Sequence, residues 1–291
     1  MSNLTRRVFT VAAAVSAVAL QLATTARAAE EVDLLLVLSS DVSRSIDAPK
    51  FKLQRDGYAA AIVNPRVIQA IRSGTLGKIA VSFVEWSGVG AQKVVIDWTI
   101  IRDEATAKDF SAQVVEAPRA FADRTSISGG IDFAMAQLAR SPFQANRHTI
   151  DVSGDGTNNA GRDVNDARDE ALAKGVTING LVILSEQPMS WNADHTNPPG
   201  GLDKYYRNNV TGGPGSFVLV AENFNSFGQA ILNKLIAEIA ANTSPKHAGK
   251  GDDADRFTAH DLGEEGCKVY RARFPRVAPW RVIAKRCRLL R

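Results

Sequence analysis

Residues 33–45 read Asp-Leu-Leu-Leu-Val-Leu-Ser-Ser-Asp-Val-Ser-Arg-Ser, an apolar half followed by a polar half. The apolar run ends at Leu38 and is short and continuous, a pattern typical of a β-strand that is buried on both faces. The polar half predicts a loop at the carboxyl end of that strand. In parallel sheets, binding sites form at this edge.

Strand-like and helix-like segments alternate along the rest of the chain, as in parallel sheets that helices cover on both faces. We therefore predict an α/β fold: one Rossmann-like domain over residues 29–245, with a mainly parallel central sheet, one antiparallel edge strand and helices on both faces. Pro65 is expected to split the first helix after Asn64. The predicted strands cover 33–38, 78–86, 93–101 (the edge strand), 148–152, 176–184 and 217–220. The predicted helices cover 49–72, 103–115, 127–139, 163–174 and 227–240. An irregular insert is expected over 186–215.

Composition excludes several classes of protein. The chain has 291 residues, of which 45% are hydrophobic and 23% are charged, values that do not fit collagen-like, disordered or polytopic membrane proteins. Two cysteines and four histidines do not indicate a disulfide-rich scaffold or a zinc cluster. After the N-terminal region, no segment reaches 18 uninterrupted apolar residues, so no transmembrane segment is expected in the mature chain.

The net charge of +4 is unevenly distributed. Residues 1–28 carry +3 and residues 246–291 carry +6, whereas residues 29–245 hold 20 basic and 25 acidic residues, a net charge of −5. Because the central body is acidic, the basic overall charge does not predict nucleic-acid binding.

The first 28 residues are typical of an export signal. Arg6 and Arg7 precede an Ala-rich apolar run, and Ala26-Arg27-Ala28 is a small-residue cleavage pattern. Residues 5–9 also resemble the twin-arginine signal of folded exported proteins; a general secretory signal remains the alternative. We expect an exported protein, periplasmic or secreted.

Polar oxygens follow two of the predicted strands and precede one helix. Asp41, Ser43 and Ser45 alternate after the first strand, Asp155 follows the strand at 148–152, and residues 124–131 offer hydroxyls at a helix start. Carboxylate and hydroxyl oxygens suit Mg²⁺, Mn²⁺ or Ca²⁺ and do not suit zinc or copper. The three loops therefore predict one divalent-cation site.

These residues resemble the von Willebrand factor A (VWA) family and its metal-ion-dependent adhesion site. The family pattern is Asp-x-Ser-x-Ser, a Thr on a second loop and an Asp on a third, and here it falls on Asp41, Ser43, Ser45, Thr125 and Asp155. The resemblance covers about residues 33–240. Segments 54–58, 83–88 and 212–217 make the chain most similar to an exported bacterial subfamily of unknown function.

The resemblance implies that these five residues hold one divalent cation, Mg²⁺ first and Mn²⁺ or Ca²⁺ next. It also implies that the ion docks an Asp or Glu carboxylate of a protein partner. Two alternatives stay open, a metal-assisted hydrolase or phosphotransferase and a scaffold with a purely structural ion. No nucleophile or acid–base pattern stands out, so the sequence does not favour an enzyme.

The insert and the C-terminal tail are harder to interpret. Trp191, His195, Tyr205 and Tyr206 form a candidate recognition rim beside the ion, or else the tyrosines pack the insert against the fold. The tail over 246–291 is expected to be poorly ordered, although its basic and aromatic residues would also suit weak contact with the cell envelope. Export would allow a disulfide between Cys267 and Cys287.

Overall fold

The structure is a computed structural model that describes residues 29–184 and 192–240. Eight strands occur in these ranges: β1 (Glu30–Glu31), β2 (Leu35–Asp41), β3 (Ile79–Trp86), β4 (Gln92–Ile101), β5 (Phe143–Gln144), β6 (His148–Gly154), β7 (Thr177–Ile183) and β8 (Val218–Ala221). Six of them form the central sheet in the order β4-β3-β2-β6-β7-β8. The β3–β4 pair is antiparallel and the other pairs are parallel, which confirms the predicted sheet with its edge strand.

Helices cover both faces of the sheet. In the described ranges they are α1 (Ala48–Ile62), α2 (Pro65–Arg72), α3 (Glu104–Glu116), α4 (Ile127–Ala139), α5 (Val164–Ala173), α6 (Ala193–Thr196), α7 (Leu202–Asn209) and α8 (Phe227–Ala240), with a short 3₁₀ helix at Phe224–Ser226. None of them is both long and apolar enough to cross a membrane, as far as the described residues go.

Local sequence explains where the first helices start and stop. Asp47 caps α1, because its side chain accepts a hydrogen bond from the backbone N–H of Lys50. Asn64 caps α2 in the same way, and Pro65 takes the first position of that helix, where its missing N–H costs nothing. The predicted split of the first helix at Pro65 is confirmed.

Alternate side chains of β2 enter two separate cores. Leu36 and Leu38 pack in a core with α1, α2, α3 and α8, whereas Leu35 and Val37 pack in a core with α4, α5 and α7. Successive strand residues point to opposite faces, so a run of five apolar residues satisfies both cores at once. β2 is therefore buried on both faces, as its sequence predicts.

The two central strands place the candidate site. β2 and β6 are parallel neighbours, with Ser40 paired to Ser153, so Asp41 and Gly154 end the two strands side by side. The loops that carry Ser43, Ser45 and Asp155 therefore leave the sheet at the same edge.

The insert is more regular than expected. It contains α6 and α7, and the short parallel pair β1–β5 was not predicted either. Leu202 and Tyr206 are one helical turn apart, and both are buried in the second core. Packing of this one face against the core stabilises α7. Because most residues of α7 are polar, the sequence did not predict this helix.

Candidate metal centre

The first loop folds its oxygens around one point. Asp41 is fully buried, and its Oδ1 accepts a hydrogen bond of 2.7 Å from the backbone N–H of Ser43. The hydroxyl oxygens of Ser43 and Ser45 are 3.0 Å apart. The alternating Asp-x-Ser-x-Ser spacing thus brings one carboxylate and two hydroxyls together within five residues.

Asp155 joins this group from the neighbouring strand end. The Ser45 hydroxyl donates a hydrogen bond of 2.6 Å to Asp155 Oδ1, which links loops that are 110 residues apart in the sequence. Both Asp41 and Asp155 are fully buried. The adjacency of β2 and β6 therefore places two buried carboxylates at one site.

One oxygen of each carboxylate is left without a donor. Asp41 Oδ2 and Asp155 Oδ2 are both buried and accept no hydrogen bond within the described part of the chain. A buried polar atom without a partner costs about 1–3 kcal/mol, and more when it is charged. Two such oxygens beside two serine hydroxyls fit a hard divalent cation, which accepts oxygen ligands of this kind.

The electrostatics of the two carboxylates support the same fit. Burial and, to a smaller extent, the nearby Asp155 carboxylate together raise the pKa of Asp41 to about 8. Burial also raises the pKa of Asp155 above its ordinary value, against the hydrogen bond from Ser45 and the charge of Lys50. A cation at this point would stabilise both ionised forms.

Thr125 approaches from the third loop. It is buried, its backbone N–H donates to Asn159 Oδ1 at 2.9 Å, and its side chain lines a cavity of about 380 Å³ together with Ser45. The structure therefore gathers all five residues of the predicted metal set at one edge of the sheet.

His195 lies beside the candidate site, in the cavity that Ser45 and Thr125 also line. Its Nε2 lies 3.2 Å from Thr125 Oγ1 and its Nδ1 lies 3.2 Å from Thr157 Oγ1, and only 4% of the residue is exposed. A Cβ on Gly156 would come within 2.3 Å of the ring, so this glycine permits the close approach. His195 thus packs against a predicted metal ligand and offers little surface to a partner.

The other residues of the expected rim differ in exposure. Tyr206 is fully buried, with its hydroxyl close to Gly154, and therefore offers no surface to a partner. Tyr205 is half-buried, and its hydroxyl accepts a hydrogen bond of 3.1 Å from the backbone N–H of Asn158. The tyrosines thus pack the insert against the fold, which is the alternative that the sequence left open. Trp191 lies outside the described residues, as do Cys267 and Cys287.

Basic and amide side chains hold the first loop in place. Arg119 donates to the backbone carbonyls of Val42 and Ser43 at 2.6 and 2.9 Å, and Lys50 donates to that of Ser45 at 3.0 Å. Gln54 donates to the carbonyl of Asp41 at 3.3 Å. Sequence reasoning missed these supports, although Gln54 belongs to the segment 54–58 that the resemblance singled out.

A buried ion pair ties the second loop to the sheet. Arg55 on α1 contacts Glu85 on β3 at 2.6 Å, and both side chains are buried. The other oxygen of Glu85 accepts a hydrogen bond of 2.9 Å from the backbone N–H of Ala120. Residues of segments 54–58 and 83–88 therefore anchor the loop that leads to Thr125.

The donor set consists of oxygens and contains few acids. No group of three or more His, Cys, Asp or Glu that could hold a metal ion occurs in residues 29–184 and 192–240. The five gathered residues supply two carboxylates and three hydroxyls. Such a set leaves a bound Mg²⁺ with few charged ligands, so the ion would remain attractive to a further carboxylate.

Solved structures share this fold at low sequence identity. Proximal thread matrix protein 1 from the mussel byssus is 13% identical, with 72% of this chain and 47% of that chain covered and a TM-score of 0.50. The pilus adhesin SpaC from Lactobacillus rhamnosus GG is also 13% identical, with coverage of 72% and 31% and a TM-score of 0.50. A von Willebrand factor type A protein from Catenulispora acidiphila is 14% identical, with coverage of 72% and 43% and a TM-score of 0.45.

This chain spans less than half of each of these proteins. The VWA-like fold expected from the sequence is confirmed by the sheet order and by this similarity.

Comparison with curated proteins gives no match. A family profile, described as a protein of unknown function (DUF1194), matches residues 31–243. That range includes every strand of the central sheet and all five residues of the candidate centre, so the chain belongs to the DUF1194 family.

Proposed function

We propose that this protein binds one divalent cation, Mg²⁺ first and Mn²⁺ or Ca²⁺ next, through Asp41, Ser43, Ser45, Thr125 and Asp155. The bound ion then docks an Asp or Glu carboxylate of a protein partner. One observation carries the proposal: two buried carboxylate oxygens, which have no donor among the described residues, lie beside two serine hydroxyls. The name of one structure with this fold, a pilus adhesin, fits a role in binding.

Side chains around the first loop would position the metal-binding oxygens. Arg119, Lys50 and Gln54 hold the first loop, so the oxygens are positioned before any ion arrives. Such positioning lowers the entropy cost of binding. The bound ion supplies a positive charge that attracts the partner's carboxylate.

Metal titration tests the first half of the proposal. We expect Mg²⁺ or Mn²⁺ at 100 times its dissociation constant to stabilise the protein by about 2.7 kcal/mol, and EDTA to reverse the effect. Asp41→Asn and Asp155→Asn should abolish the shift in Tm and the heat of binding in calorimetry. Asp56→Asn is the matched control, because Asp56 lies on the surface in a pair with Lys52.

A short capped peptide with one Glu tests docking. It should bind the metal-loaded protein more tightly than the same peptide with Gln, and EDTA should remove the difference. Equal Tm values with metal and with EDTA in all four proteins would overturn the metal site. If the protein binds metal but shows no preference for the Glu peptide, docking is contradicted and the ion has a purely structural role.

The protein's location in the cell forms part of the proposal. We infer that residues 1–28 direct export and that the domain acts in the periplasm or outside the cell. The basic residues of 246–291 would then add weak contact with an acidic envelope surface. The N-terminal region and the tail lie outside the described residues.

A further inference from the structure

Two arginines flank the candidate metal ligands. Arg44 lies between Ser43 and Ser45, and Arg124 directly precedes Thr125. Both are exposed, and both line the cavity of about 380 Å³ that Ser45 and Thr125 also line. The loops that position the metal ligands therefore position these two guanidinium groups as well.

The backbones of the two arginines are held by hydrogen bonds, while their side chains have no partner in the described part of the chain. The N–H of Arg44 donates to the carbonyl of Asp123 at 2.8 Å, and that of Arg124 donates to Asp123 Oδ1 at 2.7 Å. Neither guanidinium makes a hydrogen bond or an ion pair within residues 29–184 and 192–240. By contrast, Arg140 pairs with Asp97, and Arg162 bridges two carboxylates.

The cavity wall carries an excess of positive charge. It includes the two arginines and one carboxylate, that of Asp123. The domain around it is acidic, with −5 over residues 29–245, so this spot differs in sign from the body. Guanidinium groups bind oxyanions through paired N–H donors, and such charge-assisted hydrogen bonds are stronger than neutral ones.

We propose that the ligand of this site carries two acidic groups. One carboxylate binds the ion, and a second, close to it on the same partner protein, binds Arg44 and Arg124. The inference rests on the proposed function, because it assumes that the first carboxylate docks at the ion. The cavity lies within the range of small-ligand sites, about 300–1,000 Å³, which suits a short acidic segment of a partner.

A set of capped, fluorescently labelled peptides tests this. Each peptide carries one Glu, or two Glu separated by one to four positions, and each two-Glu peptide has a partner in which one Glu is Gln. Binding to the full chain is measured by fluorescence polarisation with saturating Mn²⁺ and with EDTA. The proteins are the wild type, Arg44→Gln/Arg124→Gln, and Arg66→Gln as the control. Arg66 is an exposed arginine on α2, the helix that leads back to the amino ends of the strands.

For at least one spacing, the second Glu should tighten binding by about tenfold or more, the usual size for a charge-assisted hydrogen bond. The double replacement should abolish this gain and leave the affinities for Mn²⁺ and for the single-Glu peptide unreduced. The Arg66→Gln protein should behave as the wild type.

No gain at any spacing, or a gain that survives the double replacement, would overturn the inference while the proposed function stands. Calorimetry with the metal ion in the absence of peptide shows whether the proposed function itself fails. If the wild type binds none of Mn²⁺, Mg²⁺ and Ca²⁺, or if no peptide shows metal dependence, the proposed function and this inference both fall. Equal Tm values for the three proteins ensure that folding does not explain the result.

Discussion

Asp151 lies on β6 with its carboxylate fully buried in the middle of the molecule. The side chain of Lys234 on α8 approaches Asp151 Oδ1 at 2.7 Å and Glu238 Oε1 at 2.5 Å. Tyr58 on α1 also lies near Asp151. The negative charge of Asp151 therefore contributes to the raised pKa of the Tyr58 hydroxyl. The single positive charge of Lys234 thus lies between two buried carboxylates.

This arrangement predicts a pH-dependent stability. Burial and the neighbouring Glu238 raise the pKa of Asp151 to about 7, against the effect of Lys234. Between pH 4 and pH 7 the folded state therefore holds a proton that the unfolded state releases. The free energy of unfolding should fall as the pH rises through this window, by at most about 1.4 kcal/mol per pH unit for this one group.

The Asp151→Asn variant should lose this contribution and show a shallower fall, measured by urea unfolding in EDTA at pH 4.5, 5.5, 6.5 and 7.5. Asp41 and Asp155 also have raised pKa values, but they contribute equally to both proteins. The difference between the two curves therefore isolates Asp151. Parallel curves would show that its carboxyl titrates in its ordinary range.

At the residue scale, the candidate metal ligands could be identified because their residue types follow a short motif. The spacing Asp-x-Ser-x-Ser predicts a turn of oxygens whatever surrounds it. The contacts of His195 could not be predicted, since Thr125 is 70 positions away from it and only the folded insert brings the two together.

Among the elements, α1 and α8 cross at two glycines. A Cβ on Gly57 would lie 2.6 Å from the Phe227 ring and 3.2 Å from the Cα of Gly228. Phe227 is fully buried and packs edge-on against Tyr58, so its ring has little freedom to move away. A Cβ on Gly228 would meet the Gly57 Cα at 3.7 Å, an ordinary contact distance.

We expect Gly57→Ala to destabilise the protein by about 1–3 kcal/mol, because overpacking outweighs the better helix propensity of alanine. Gly228→Ala is the matched control in the facing helix and should be neutral or slightly stabilising. Chemical denaturation of the three proteins gives the comparison. Equal losses in both variants would mean that the crossing tolerates no side chain on either helix, and no loss in Gly57→Ala would mean that Phe227 repacks freely.

Most elements could be predicted from periodicity and caps. The predicted helices over 127–139 and 227–240 match α4 and α8 residue for residue, because Ser126 caps the first and the second has a strong apolar stripe. The helix α7 was missed because its burial depends on two side chains, Leu202 and Tyr206, in eight mostly polar residues. Such a helix is stable only when its apolar face packs against the core of the folded protein.

For the molecule as a whole, the charge distribution predicts export. Residues 1–28 contain three arginines and no acid, and the twin arginines stand directly before the apolar run. Replacing both with lysine keeps the charge and removes the guanidinium groups. If export uses the twin-arginine route, Arg6→Lys/Arg7→Lys should leave uncleaved precursor inside the cell.

Cell fractionation and immunoblotting measure this effect against the wild type. Arg27→Lys, at the predicted cleavage pattern, serves as a control with the same chemical change in the same segment. Normal export of the double variant would favour the general secretory route. Retention of the wild type in the cytoplasm would contradict export by either route.

The sequence by itself determined the fold class, the antiparallel edge strand and the identities of the metal-ligand candidates. These properties depend on local patterns: an apolar run buried on two faces, helix caps, and oxygen donors at alternating positions. Only the tertiary structure decided that His195 contacts Thr125, that Arg44 and Arg124 line the same cavity, and that Lys234 pairs with Asp151 in the core. The physical reason is that each of these relations joins groups on different elements. Their energies depend on burial and distance, which no local stretch of sequence contains.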